Sequence, residues 1–283
     1  MLEIAEIKGV PLKIPHLRYS FFNTPYPPHR LGTAVDVYFP SVALFPFPQG
    51  RLVEVREVTT PQHIPVSRDY LLLFQVEDFI LKVLHVKPWL KVGDRVKWGE
   101  EIGELVLSGF FTPWSDKHAH FEFRSPQDPY RARGGIPVVP KWLELVPAAR
   151  SSLFVVQENK ENYCWLAPLE TGPKGLTPWG NVEGGLPYYR YGALFHSTKG
   201  QVLDREVVAQ ETLDNGAGIF RPDFTVKVNG RPVKGIGVYC NEPRLKLVGG
   251  NFREGETVVV ELVPSCQQDQ TRKRWGGSYG EDR

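Results

Sequence analysis

Apolar and polar positions along this 283-residue chain exchange mostly with a period of two, and helical spacing is scarce. That pattern predicts a mainly β protein of short strands joined by turns. It places strands at residues 2–7, 34–39, 51–55, 69–76 and 79–85. From His118 the alternation is clearest: His118, His120, Glu122 and Arg124 share one parity, and Ala119, Phe121 and Phe123 share the other. The implied strand has one polar face and one buried aromatic face. Between residues 86 and 107 the run Val92-Gly93-Asp94-Arg95-Val96-Lys97-Trp98-Gly99-Glu100-Glu101-Ile102-Gly103 alternates strand residues with glycines suited to corners at positive φ. An aromatic loop at 107–114 precedes the His118 strand.

A second series of apolar runs lies at 153–157, 188–194, 224–228, 235–239, 245–248 and 257–263, with Val228-Asn229-Gly230-Arg231 as a two-residue hairpin turn. The chain therefore divides into a first β domain at 1–148, with its core at about 25–130, and a second, β-sandwich-like domain at 149–265. Residues 266–283 form a polar tail predicted to be disordered. The second domain carries one histidine, His196, and no cluster of acids, so it reads as an accessory or interaction module.

Composition narrows the function classes. The apolar share of 41% and charged share of 23% are those of a globular protein, and 27 glycines with 25 prolines fit a turn-rich β chain. The net charge of +2 gives no field that would draw nucleic acid or an anionic membrane. The one basic cluster is Arg272-Lys273-Arg274 in the tail. Cys164, Cys240 and Cys266 are odd in number and widely spaced, which argues against a zinc ribbon or a disulfide framework. The first residues include early acids and no long apolar core, and no window reaches the roughly 18 apolar residues of a membrane span. The expected address is the cytoplasm, and the pattern leaves the oligomeric state open.

Chemistry concentrates in the first domain. Two strand histidines at i and i+2 lie about 6.6–7 Å apart on one side, so one can bind a metal while the other meets a substrate. Taken alone, His118 and His120 also fit a half-exposed strand pair. Asp36 interrupts an apolar strand, and a buried carboxylate needs a partner. A divalent metal supplies one, and so does a turn whose amides bind the acid. His85 ends a strand, where a structural role is the ordinary one. His16 and His63 receive no role. As a set, His29, Asp36, His85, His118 and His120 offer two imidazoles and a carboxylate for a zinc with an open fourth position. A zinc so held polarises a carbonyl and lowers the pKa of its water toward about 7. Two further imidazoles are left to move a proton and stabilise developing charge.

These stretches resemble the lysostaphin-like (LytM-type) zinc metallopeptidases. The corresponding segments are His29…Asp36, Lys82-Val83-Leu84-His85, the Val92–Gly103 run and His118-Ala119-His120-Phe121-Glu122. The match covers residues 25–130. It implies a small curled antiparallel fold of the duplicated hybrid motif type. It also implies His29, Asp36 and His120 as zinc ligands, His85 and His118 as the catalytic pair, and a peptide or peptide-crosslink substrate. Six residues separate His29 from Asp36 where the family has three, so a longer loop is expected to deliver the first ligand. The aromatic segment 108–117 stands where the family has a glycine-rich turn, and it is expected to narrow or reshape the groove. Two non-catalytic alternatives remain. One is a family member kept as a binding or scaffold module. The other is a biotinyl- or lipoyl-carrier-like domain modified at Lys117.

Overall fold

The computed structural model describes residues 1–60 and 68–265. His63, Cys266, the 272–274 basic cluster and the rest of the tail lie outside the described residues.

The strands described pair antiparallel throughout, so no parallel crossover unit is built. The protein is mainly β, in two domains of curled sheets. In the first domain a seven-stranded sheet runs Arg95–Lys97, Gln49–Thr59, Arg68–Val76, Phe79–Leu84, Ala119–Arg124, Ala34–Val37, Tyr19–Ser20. Its centre sets the site. His120 lies opposite Asp36 on one side, and Glu122 lies opposite Lys82 on the other. Because side chains alternate, these residues share one face, while Phe121, Phe123, Val35 and Val37 point the other way. That second face packs into a core with Phe45, Phe47, Phe74 and Phe79. Phe47 meets Phe123 edge-on at 5.9 Å between ring centroids.

The polar face differs from expectation. Every residue of Ala119–Arg124 is buried, so the histidine side is as covered as the aromatic side. Gly93 (φ +104°) and Gly99 (φ +77°) occupy the positive-φ corners foreseen for the glycine run.

The second domain holds an eleven-stranded sheet that includes Val182–Leu186, Gly235–Val238, Leu245–Val248, Tyr163–Pro168 and Leu153–Asn159 as successive neighbours of Gly192–Leu194. Asn229 and Gly230 both have positive φ, and Val228 pairs with Arg231, which makes the expected hairpin. The run at 188–194 is only partly a strand, since residues 188–190 turn and extension begins at Gly192. Val182–Leu186 escaped the sequence pattern because two of its five residues are glycines.

The two domains do not bury separate cores at their contact. Leu176, Tyr191, Phe195 and Cys240 of the second belong to the same buried cluster as Phe21, Phe121 and Phe123 of the first. No helix among the described residues is long and apolar enough to cross a membrane.

Candidate metal centre

His29, the first candidate ligand, is carried on a single helical turn, Pro27–Arg30, rather than on an open loop. Proline at its start is compatible with the fixed φ of the first helical positions. The turn ends at Leu31 and Gly32. Gly32 has φ +66°, and a Cβ there would come within 2.4 Å of Asn215 Nδ2. Chain that would lengthen a loop is thus coiled up, and His29 returns over Asp36 despite the six intervening residues.

Asp36 and His120 come from adjacent strands in direct register. His120 Nδ1 lies 2.9 Å from Asp36 Oδ1. His29 Nε2 is 3.1 Å from the same oxygen and 3.0 Å from His120 Nδ1. All three residues are buried. A tetrahedral ion with bonds of about 2.1 Å keeps its ligands roughly 3.4 Å apart, so this triangle needs to open by only tenths of an ångström. Among the described residues, this is the group of three whose ligand atoms converge in this way.

The outer hydrogen bonds fix what faces inward. His29 Nδ1 lies 2.7 Å from the Phe21 carbonyl, which can only accept, so Nδ1 carries the proton and Nε2 presents a lone pair. His118 is set the same way: Nδ1 donates to the Asp116 carbonyl at 2.8 Å. Its Nε2 lone pair then faces Asp36 Oδ2 at 3.5 Å. Acceptor atoms from His29, Asp36 and His118 therefore crowd one small volume. Without positive charge between them they repel.

The site's electrostatics answer that crowding. Burial alone would raise the Asp36 carboxyl, but His118, His29 and His120 hold it well below the usual range. Burial opposes a proton on His120, yet Asp36 and Glu122 raise its pKa to about 9. At pH 7 a proton on His120 thus supplies positive charge among these acceptors. His118 is lowered by burial to about 4, which leaves a neutral imidazole at pH 7. Glu122, whose Oε2 lies 3.8 Å from His120 Nε2, is itself paired with Lys82 Nζ at 2.9 Å.

His85 stands beside this cluster, its ring centroid 5.3 Å from that of His118 and 6.1 Å from that of His120. It adopts φ +67°, a left-handed conformation that is uncommon for a side-chain-bearing residue. Asp69 holds it there. The Asp69 carboxylate accepts from His85 Nδ1 at 2.6 Å, from the His85 backbone N–H at 3.0 Å and from Ser108 Oγ at 2.6 Å. His85 Nε2 is the nitrogen left for chemistry.

All five candidate residues are therefore brought together. His16 and His196 are exposed and stand apart from the site. Asp69 was missed in the sequence, where it reads as the polar start of a strand. The second domain was under-read as well. Tyr189 and Tyr239 help to line the site's cavity, of about 240 Å³, together with Tyr26, Phe110, Phe111 and Trp114. The aromatic loop lines the cavity. Phe111 stacks on His118 at 4.5 Å and 21°, and the Tyr26 hydroxyl donates to the Phe110 carbonyl at 2.7 Å. Lys117 lies in the irregular segment just before the Ala119–Arg124 strand.

Residues 11–140 match the family model described as the N-terminal domain of a domain of unknown function, DUF8155, and residues 146–263 match the model of its C-terminal domain. Both DUF8155 domains are present, in order. Residues 141–145 separate the two matches, and the boundary drawn from the sequence at 148/149 lies just inside the second. The five histidine and aspartate positions all lie in the DUF8155 N-terminal domain, while Tyr189 and Tyr239 reach the cavity from the C-terminal one. No curated protein and no solved structure matches the chain.

Proposed function

We propose that this DUF8155 protein is a zinc-dependent metallopeptidase-like hydrolase that cleaves a peptide (amide) bond. His29, Asp36 and His120 would hold the ion, and His85 and His118 would serve the reaction beside it. The resemblance of the His29…Asp36, His85 and His118-Ala119-His120 segments to lysostaphin-like enzymes supports the same reading. The observation that carries it is the buried triangle of His29 Nε2, Asp36 Oδ1 and His120 Nδ1, with sides of 2.9–3.1 Å. Two imidazoles and one carboxylate with an open approach are the donor set of a catalytic zinc. When bound, zinc supplies Lewis acidity to the scissile carbonyl and to the attacking water.

The chain's own residues supply the rest. His118 is neutral at pH 7 and has its Nδ1 proton committed to Asp116, so Nε2 accepts the proton lost by the attacking water. His118 would then pass that proton to the leaving nitrogen. His85, with Nδ1 donating to Asp69, would donate from Nε2 to the oxygen on which negative charge develops when its ring is in the imidazolium form that the Asp69 carboxylate stabilises. The aromatic rings around the cavity exclude water from the reacting groups. At about 240 Å³ the cavity is smaller than the roughly 300–1,000 Å³ of sites for drug-sized ligands, which suits a short stretch of peptide.

Elemental analysis of protein purified with zinc present tests the reading. About one zinc per chain is expected, lost in His120→Ala, together with zinc-dependent release of amines from a mixed peptide pool. Wild-type protein that stays metal-free in excess zinc would sink it.

A further inference from the structure

The inner histidines are oriented by two backbone carbonyls, those of Phe21 and Asp116, and the segment that bears each carbonyl is in turn held by the C-terminal domain. Glu183, fully buried in the Val182–Leu186 strand, accepts from Phe21 N–H at 3.0 Å and from Phe22 N–H at 3.2 Å. Burying a carboxyl costs free energy unless it is hydrogen-bonded. These amides, next to the Phe21 carbonyl that receives His29 Nδ1, are its backbone partners. Tyr191 and Val238 grip the same segment: the Tyr191 hydroxyl donates to the Thr24 carbonyl at 2.6 Å, and Asn23 Nδ2 donates to the Val238 carbonyl at 3.2 Å. The second grip is at Asp116. Lys246, also fully buried, donates to Asp116 Oδ2 at 2.8 Å and to the Trp114 carbonyl at 2.6 Å. Arg18 shares that carboxylate oxygen at 2.7 Å, and the Tyr163 hydroxyl donates to the other one. Asp116 cannot swing without breaking these bonds, and its carbonyl is the acceptor for His118 Nδ1.

We propose that the C-terminal domain completes the centre, with Glu183 and Lys246 as positioning residues. Glu183 sets the tautomer and ring orientation of His29 through the Phe21 carbonyl, and Lys246 sets those of His118 through Asp116. The consequence for metal affinity rests on the metal reading above, whereas the tautomers do not. The centre is then a property of both domains, and the C-terminal domain is more than an appended module. Outer partners of this kind typically change metal affinity about 10–100-fold.

The test uses the full chain in two measurements. Side-chain ¹⁵N spectra of the histidines, recorded without metal, read the tautomers; competition with a chelator reads the zinc dissociation constant. Wild type is expected to show His29 and His118 as Nδ1–H tautomers. Glu183→Ala should scramble His29 alone and weaken zinc about 10–100-fold, and Glu183→Gln, which keeps an acceptor oxygen for the two amides, should restore most of both. Lys246→Met should disturb the His118 signal and leave His29 in place. If Glu183→Ala does not fold, Tyr191→Phe, which deletes one hydroxyl from the same grip, must shift the His29 signal. Folded variants with unchanged His29 and His118 spectra and unchanged zinc affinity would overturn the proposal. A wild type that takes no zinc but whose His29 tautomer is lost in Glu183→Ala would remove the metal reading and leave the positioning role standing.

Discussion

Asp36 and His120 face each other across neighbouring antiparallel strands, with the carboxylate Oδ1 2.9 Å from the ring Nδ1. The pairing register holds this contact, so neither residue depends on a loop to find the other. Replacing Asp36 by Asn keeps the shape and removes the charge that balances a divalent ion. Zinc affinity in Asp36→Asn should fall by more than the roughly 10–100-fold that outer-shell partners typically contribute, with strand content by circular dichroism unchanged. Chelator competition measures it, and an affinity equal to wild type would exclude Asp36 as a ligand.

Metal uptake should release protons. In the metal-free protein the His120 pKa is raised to about 9, so the ring is protonated at pH 7 and must lose that proton to bind an ion. Affinity should rise with pH through neutrality and level off above about 9. Calorimetry at pH 7 in two buffers of different ionisation enthalpy should report release of about one proton per zinc. The stability of the metal-free protein should move the opposite way. A raised His120 pKa contributes stability that is full below the unfolded value of 6.5 and is lost as pH climbs through about 9. The depressed Asp36 contributes stability above its unfolded value of 3.8, lost as pH falls through its folded pKa.

Phe111 stacks on His118 and forms part of the burial that lowers the imidazole's pKa. Burial lowers His118 from 6.5 to about 4. In Phe111→Ala the ring gains water, so its pKa should move up toward 6.5, and the acid limb of any pH–rate profile should move up with it. The lost stacking should lower stability by about 1 kcal/mol. A ¹H–¹⁵N titration of His118 decides the point; an unmoved midpoint would mean that other walls keep the ring dry.

Much of this centre was legible in the sequence, for a definite reason. Strand alternation put His118, His120 and Glu122 on one face, and an aspartate inside an apolar strand called for a partner; the division into a ligand trio and a catalytic pair came only from the resemblance to the lysostaphin-like enzymes. The legible part stops where contacts join distant segments. Asp69 looks like the polar start of a strand until the neighbouring strand brings His85 against it. Glu183 sits between Val182 and a Gly184-Gly185 pair, a stretch that reads as a turn. The glycines are there because the backbone runs close to other groups: a Cβ on Gly185 would come within 2.4 Å of the Tyr188 ring. The second domain looked free of chemistry because its contribution is made through hydrogen bonds to the backbone of residues 21–24 and to Asp116, which no side-chain motif encodes.

Asp69 should matter to the reaction without mattering to the metal. Asp69→Asn keeps an oxygen acceptor for His85 Nδ1 but removes the charge that stabilises a protonated imidazole. It should lower kcat by about 10²–10⁴, the usual span for a general acid–base group, and leave zinc content near one per chain. Loss of zinc in this variant would instead place His85 among the ligands.

Gly32 joins the two domains at the point where His29 is delivered. Its φ of +66° disfavours a side chain, and an added Cβ would press on Asn215 Nδ2 at 2.4 Å. That amide donates to the Gly32 carbonyl at 3.3 Å and to the Val138 carbonyl at 2.8 Å, so it cannot retreat without breaking both bonds. Gly32→Ala should therefore cost about 1–2 kcal/mol of stability in thermal unfolding. It should also weaken zinc, because the Pro27–Arg30 turn that carries His29 ends at this residue. Asn215→Ala removes the clash but also removes the donor, so the double variant should recover stability more than zinc affinity. Equal recovery of both would show that the turn holds His29 in place without help from the C-terminal domain.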